Sequence, residues 1–151
     1  MEINKLENIS KHITWSEFCL SSQTAIRLKI DNQPKDKSVI EAAKLVANKC
    51  FEPIREHFGI PLTISSFYRS EALNKAINGA KNSQHITGQA IDLYAGHTYS
   101  DKNLEILNWA KDNLDYDQLI NEYPDSKGRP CWVHISYNSK GPNRKQFITI
   151  S

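Results

Sequence analysis

Apolar residues at Val39, Ala43, Val46, Cys50, Ile54 and Phe58 recur at threes and fours, which predicts a long helix with one face turned to a core. Ser38-Val39-Ile40-Glu41 has the form of a capping box and sets its start. Pro53 removes an amide inside it and predicts a kink, and Gly59 followed by Pro61 supplies the stop. A second box, Thr14 to Glu17, with Ile13 ahead of it as a staple, predicts a short helix from about Trp15. Another short helix is expected from Ser70 through Ile77, ended by Asn78-Gly79, and Leu104, Leu107, Ala110 and Leu114 mark an amphipathic helix over 101–114.

The remaining pattern has a period of two. Strands are expected at 62–66, 89–94, 118–122, 132–137 and 146–150. In 89–94, Ile91 and Leu93 share one face and Ala90 and Asp92 the other, so Asp92 points away from the apolar side and can face a cleft. The same alternation puts Trp132, His134 and Ser136 on one face of their strand, and Gln118, Ile120 and Glu122 on one face of theirs. Helices come early and strands late. The expected class is α+β, a small, mainly antiparallel sheet packed with helices.

Composition narrows this by exclusion. A chain of 151 residues, 39% hydrophobic and 24% charged, fits a single domain over 1–151 able to bury a core as a monomer. Nineteen Lys and Arg against 17 Asp and Glu leave a net charge of +2, with no basic block, so nucleic acid is not an expected partner. No run approaches the ~20 apolar residues of a membrane span, so stable membrane association is not expected either. The N-terminus lacks the apolar core of a signal peptide, and synthesis in the cytoplasm is the expectation. Three cysteines, odd in number and widely spread, read as reduced thiols: Cys19 and Cys50 as core, and Cys131 as a small buried hydrophobe rather than a metal ligand.

The chemistry concentrates in Lys81 to Asp92. His85 and Asp92 stand seven positions apart, and a second imidazole follows in Cys131-Trp132-Val133-His134. Two histidines and one carboxylate are what a catalytic zinc site needs, because three protein ligands leave a fourth position for water, whose pKa the ion lowers to about 7. If the strands 118–122 and 132–137 pair, Glu122 reaches the space beside His134 and becomes the candidate general base. Arg69 supplies a cation for a developing oxyanion or for a substrate carboxylate. His12, His57 and His97 read as surface residues, and Trp15 and Trp109 as core. Trp132 shares the face of His134 and can line the cleft.

Taken together, S-x-H-x-x-G-x-A-x-D at Ser83, His85, Gly88, Ala90 and Asp92, S-x-Y-R at Ser66, Tyr68 and Arg69, and W-V-H at Trp132 to His134 resemble the zinc D-Ala-D-Ala carboxypeptidases. More closely, the chain is similar to the small M15-type peptidases of phage and bacterial genomes, related in fold to the D-Ala-D-Ala dipeptidases and the hedgehog signalling domain. The likeness runs from about Ile13 to Ser136 and takes in Leu73 to Ala76 and Asp117 to Ile120. It implies one Zn2+ held by His85, Asp92 and His134, with Arg69, Ser83, Tyr68 and Trp132 around the substrate. In several relatives an acidic residue sits just before the last histidine, whereas here Cys131, Trp132 and Val133 precede it. Glu122 is therefore the first candidate for base, and Asp117 the second. Such relatives cut peptidoglycan stem peptides at D-Ala-D-Ala, at D,D cross-links, or between L-Ala and D-Glu. The implied site of action is then the bacterial cell wall, for a phage lysis enzyme or an unexported bacterial protein alike. The rival reading is a non-catalytic, zinc-stabilised binder of wall peptides; a structural virion protein, the third, predicts no zinc.

Overall fold

A computed structural model describes residues 7–151. Ile13 is fully buried, and Thr14 and Glu17 cap one another as expected, the Thr14 amide donating to the Glu17 carboxylate and the Glu17 amide to the Thr14 hydroxyl. The segment they open, Ser16–Leu20, is a single π-helical turn. Helix α1 (Gln23–Leu28), unexpected from the sequence, is capped by Ser22 and closed by Lys29 in the left-handed conformation. Its apolar residues Ile26 and Leu28 are exposed, so it carries no amphipathic signature that sequence periodicity can detect.

The long helix begins two residues earlier than expected. Asp36, rather than Ser38, is the cap of α2 (Lys37–Val46), its carboxylate accepting the Ser38 amide. The expected interruption by Pro53 takes the form of a π-helical turn, Ala47–Phe51, between α2 and α3 (Glu52–Phe58). There the Glu52 amide reaches back to Ala47. The widened turn offers room for a proline ring that would otherwise press on the carbonyl four residues earlier. Gly59 ends α3 with a φ of 64°, and its amide returns to the Arg55 carbonyl.

Strands β1 (Leu62–Ser66), β2 (Ala90–Ala95), β3 (Gln118–Glu122), β4 (Trp132–Ser136) and β5 (Gln146–Ile150) form one sheet in the order β1-β2-β4-β3-β5. All neighbours are antiparallel except β3 and β5, which are parallel. The class is α+β with a mainly antiparallel sheet, as the sequence implied. Helices α2 and α5 (Lys102–Asn113) lie against the sheet, and Val46, Ile54, Ile106 and Leu107 join Leu93, Val133, Ile135 and Leu119 in the buried core. Each such side chain is worth ~1.5–3 kcal/mol when fully buried.

The opposite face of the sheet carries the polar residues. There Asp92, although only 5% exposed, lines a cavity with His85 and His134 beside the segment that follows α4 (Glu71–Ala76), as the strand alternation implied. β2, between β1 and β4, is buried along nearly its whole length.

Cys131 also departs from expectation. It is exposed at the entry to β4, where its thiol donates to the Tyr123 carbonyl at 3.2 Å. Cys19 and Cys50 are buried, and the cysteines form no disulfide. Trp15 is core, whereas Trp109 is half-buried and stacks on the exposed ring of His57 with centroids 4.4 Å apart. Among the described residues no helix is long and apolar enough to cross a membrane.

Candidate metal centre

In an antiparallel ladder, residues directly opposite one another project to the same side. Asp92 of β2 is opposite His134 of β4, His134 is opposite Ile120 of β3, and Glu122 is opposite Trp132. The pairing therefore gathers Asp92, His134, Trp132 and Glu122 on one face. His134 Nδ1 lies 2.9 Å from Asp92 Oδ1.

His85 arrives from a tight loop. The Gln89 amide closes onto the Gln84 carbonyl at 2.9 Å, the Gly88 amide onto the His85 carbonyl at 3.3 Å, and the Ser83 hydroxyl accepts the His85 amide at 3.2 Å. Gly88 is required twice over: its φ is +76°, and a Cβ there would stand 2.5 Å from the Val39 carbonyl oxygen of α2. The Arg69 amide donates to the His85 carbonyl at 3.1 Å, which ties the loop to the segment leaving β1.

The ring of His85 is held in one state. Its Nδ1 donates to the Phe67 carbonyl at 2.7 Å, so Nε2 is left as the lone-pair nitrogen. That Nε2 is buried, has no hydrogen-bond partner, and lies 3.2 Å from Asp92 Oδ2. A buried acceptor facing a carboxylate oxygen, which is itself an acceptor, calls for a cation between them. One ligand atom from each of His85, Asp92 and His134 lies within 4.8 Å of the others. The residues fit a divalent metal ion, and two imidazoles plus one carboxylate leave a coordination position for a further ligand.

Electrostatics favour the ligating forms. Burial lowers the pKa of His85 and so keeps its imidazole neutral. For Asp92, burial acts to raise the pKa, but the adjoining His85 and His134 imidazoles outweigh it and hold the carboxyl well below its ordinary range.

Arg69 is pinned beside this group. Its Nε donates to the Ser66 hydroxyl at 3.0 Å and one terminal nitrogen to Asn74 Oδ1 at 3.2 Å, while the other lies 3.5 Å from Asp92 Oδ2. A bulge between Ile64 and Ser66 puts Ser66, rather than Ser65, opposite Asp92 and so delivers this hydroxyl to the site face. Asn74 is itself fixed by donating to the Ala80 carbonyl at 2.9 Å.

A cavity of about 460 Å³ opens onto the group and is lined by Arg69, Ser83, Glu122 and Trp132 as well as the three ligand candidates. Glu122 is half-buried there, and burial, then the Asp92 charge, raises its pKa. Tyr68 lines a neighbouring cavity of about 430 Å³, which shares Arg69, Asp92 and Trp132 with the first.

Asp117, the second candidate base, is engaged elsewhere. Its Oδ1 accepts from the Arg144 amide and Nε at 3.0 Å each, and its Oδ2 from Arg144 at 2.8 Å and from Gln84 at 2.9 Å. The Arg144 hydrogen bonds bring its pKa down to about 2, which leaves it a poor proton acceptor near neutrality.

Sequence reasoning did not find the residues that brace the site. Asn74 and Asn32 are buried amides, the latter donating to the carbonyls of Cys19 and Tyr68 and accepting the Ser70 amide. Arg144 and Gln84 meet only through Asp117. A lone Asn or Gln has no periodic signal, and each of these contacts but Asn74 with Arg69 and Ala80 spans many residues.

A search of curated proteins returns no significant match. A family model described as peptidase M15 matches residues 11–136, a span that contains Arg69, His85, Asp92, Glu122 and His134, and the chain belongs to that family.

Proposed function

We propose that this protein is a zinc-dependent metallopeptidase that hydrolyses peptide bonds in peptidoglycan stem peptides. The observation that carries the reading is the orphaned His85 Nε2 converging with Asp92 and His134 at a cavity that also holds Glu122. Membership of the peptidase M15 family supports peptide hydrolysis as the reaction.

When bound by these three side chains, zinc would supply an activated water and polarise the scissile carbonyl. Glu122 does the proton work. Its raised pKa makes it a stronger base than an ordinary glutamate, able to accept a proton at a carboxylate oxygen and return it to the leaving amine. Arg69, with its Nε and one terminal N–H committed to Ser66 and Asn74, has further donors for negative charge developing on the substrate. Ser83 holds the His85 loop through its backbone, and Trp132 walls the cavity on the side of Glu122. Tyr68, in the adjoining cavity, is assigned to the substrate on the other side of Arg69.

The test is incubation of the zinc-loaded protein with a monomeric pentapeptide muropeptide and a cross-linked dimer, read by mass spectrometry beside a chelator control. Chelator-sensitive loss of one alanine, loss of the cross-link, or a cut after L-Ala supports the peptidase and names its bond. Intact substrates, with zinc verified in the protein, would instead favour a wall-peptide binder.

A further inference from the structure

We propose that Arg144 is a second substrate-binding residue of this cavity, taking a free carboxylate carried by the peptide within one or two residues of the cleaved bond. The proposal rests on the peptide-hydrolase reading and adds a specificity element to it. Arg144 lies beyond the segment matched by the family model, in the connection between β4 and β5.

Three observations carry it. First, Arg144 lines the same cavity as His85, Asp92, Glu122 and His134. Second, its guanidinium is oriented without being used up. Asp117 engages Nε and one N–H of a terminal nitrogen, at 3.0 and 2.8 Å, which leaves three of the five N–H donors. The side chain remains 56% exposed, so those donors are open to a ligand. Arg69, by contrast, is 14% exposed and is held by Ser66, Asn74 and Asp92. Third, Asp117 itself is buried and anchored, since it also accepts from the Arg144 backbone and from Gln84 of the His85 loop. An ordinary surface ion pair has neither the cavity nor the anchored acceptor.

The register sets the reach. Asp117 immediately precedes β3, and His134 is opposite Ile120, three residues along, or about 10 Å at strand spacing. A guanidinium standing out from Asp117 into the cavity therefore meets a group close to the reacting bond rather than a distant part of the wall polymer. In a stem peptide two carboxylates satisfy this chemistry: the C-terminal one of D-Ala-D-Ala, and the α-carboxylate of γ-linked D-Glu after L-Ala. A planar guanidinium binds either through paired, charge-assisted hydrogen bonds.

The experiment compares two substrate pairs on the zinc-loaded protein and on Arg144→Gln. One pair is an acyl-D-Ala-D-Ala peptide and its C-terminal amide. The other is an L-Ala-γ-D-Glu peptide and its isoglutamine counterpart. Binding of the uncleaved product analogues, N-acetyl-D-alanine and N-acetyl-D-glutamate γ-amide, each against its α-amide, is measured in parallel by calorimetry.

In one pair the unaltered protein should prefer the acid by about tenfold or more in KM. Arg144→Gln should abolish that preference, the acid and the amide then showing the same KM, since the lost interaction is with the bound substrate. The pair that responds identifies which carboxylate is recognised. No acid preference in either pair, or a preference that survives in Arg144→Gln, overturns the proposal. If Arg144→Gln does not fold, the acid-to-amide ratio of Arg144→Lys decides: a ratio as large as that of the unaltered protein overturns the role of the planar fork, and a reduced one supports it. If nothing is cleaved but the analogues bind with an Arg144-dependent acid preference, the peptidase reading fails and the carboxylate site stands.

Discussion

His134 stands directly across the β2–β4 ladder from Asp92, with its Nδ1 2.9 Å from Asp92 Oδ1. Both residues are held by strand pairing rather than by flexible side-chain reach, so the carboxylate and one imidazole are positioned by the central sheet itself. His85 is then added from a loop whose orientation depends on the Phe67 carbonyl and on Gly88. The candidate metal centre thus rests on strand pairing and on one hydrogen-bonded loop.

Removing a ligand should remove the metal. His134→Ala is expected to weaken zinc affinity by more than about 100-fold, beyond the usual effect of losing a supporting partner. Metal content after dialysis and cleavage rate should fall together. Retention of stoichiometric zinc by the variant would count against the ligand set.

Glu122→Gln keeps the shape of the cavity wall and removes the proton acceptor. Zinc content and melting temperature should be unchanged while kcat drops by about 10²–10⁴-fold. As the proposed base, Glu122 must be ionised to act, and its burial raises its pKa, so activity should fall along an acid limb set by this carboxyl as pH decreases. A pH–rate profile of kcat on the unaltered protein reads this limb. An acid limb that persists unchanged in Glu122→Gln would assign the proton step to another group.

Asn74→Ala tests the brace behind Arg69. The substitution leaves the Ala80 carbonyl and one Arg69 N–H without their partner, at a cost of about 1–3 kcal/mol in stability. Turnover should also decline with zinc retained, because Arg69 loses one of the contacts that aim it. Unaltered kcat in a correctly folded Asn74→Ala protein would show that Arg69 needs no such support.

Gly88→Ala should be more damaging than its size suggests. A β-carbon would be forced into a left-handed backbone conformation and against the Val39 carbonyl oxygen at 2.5 Å. The expected loss is at least about 1–3 kcal/mol, measured by denaturant unfolding, with zinc affinity reduced because His85 shares the loop.

Asp117 gives a pH dependence of stability with a defined sign. Its folded pKa of about 2 lies below the ordinary aspartate value of 3.8, so its contribution is fully present above the unfolded value and is lost as pH falls from there through the folded one. The magnitude is on the order of 1 kcal/mol, because Arg144 is half exposed and its charge is screened. Asp117→Asn should flatten this part of the stability curve. Thermal melts between about pH 5 and 2 compare the two proteins.

Much of this architecture is local and was legible in the chain. The cap at Thr14 and Glu17, the strand alternation that separates Asp92 from Ile91 and Leu93, and the helix over 101–114 depend on backbone geometry within a few residues. The start of α2 was misplaced because Asp36 and Ser38 are both competent caps, and only the backbone extended at Asp36 selects between them. Helix α1 escaped because its cap holds six residues whose larger apolar side chains, Ile26 and Leu28, remain exposed.

The sequence by itself determined which residue types are available for chemistry and which side of a strand each occupies. It could not determine that the faces of three strands coincide. That follows from register, and a slip of one residue would turn His134 away from Asp92. Nor could it assign the tautomer of His85, which depends on a carbonyl 18 residues away, or the pairing of Asp117 with Arg144, 27 residues later. Such contacts depend on how the chain closes on itself, and no local pattern encodes the distance between two residues that meet only in the folded protein.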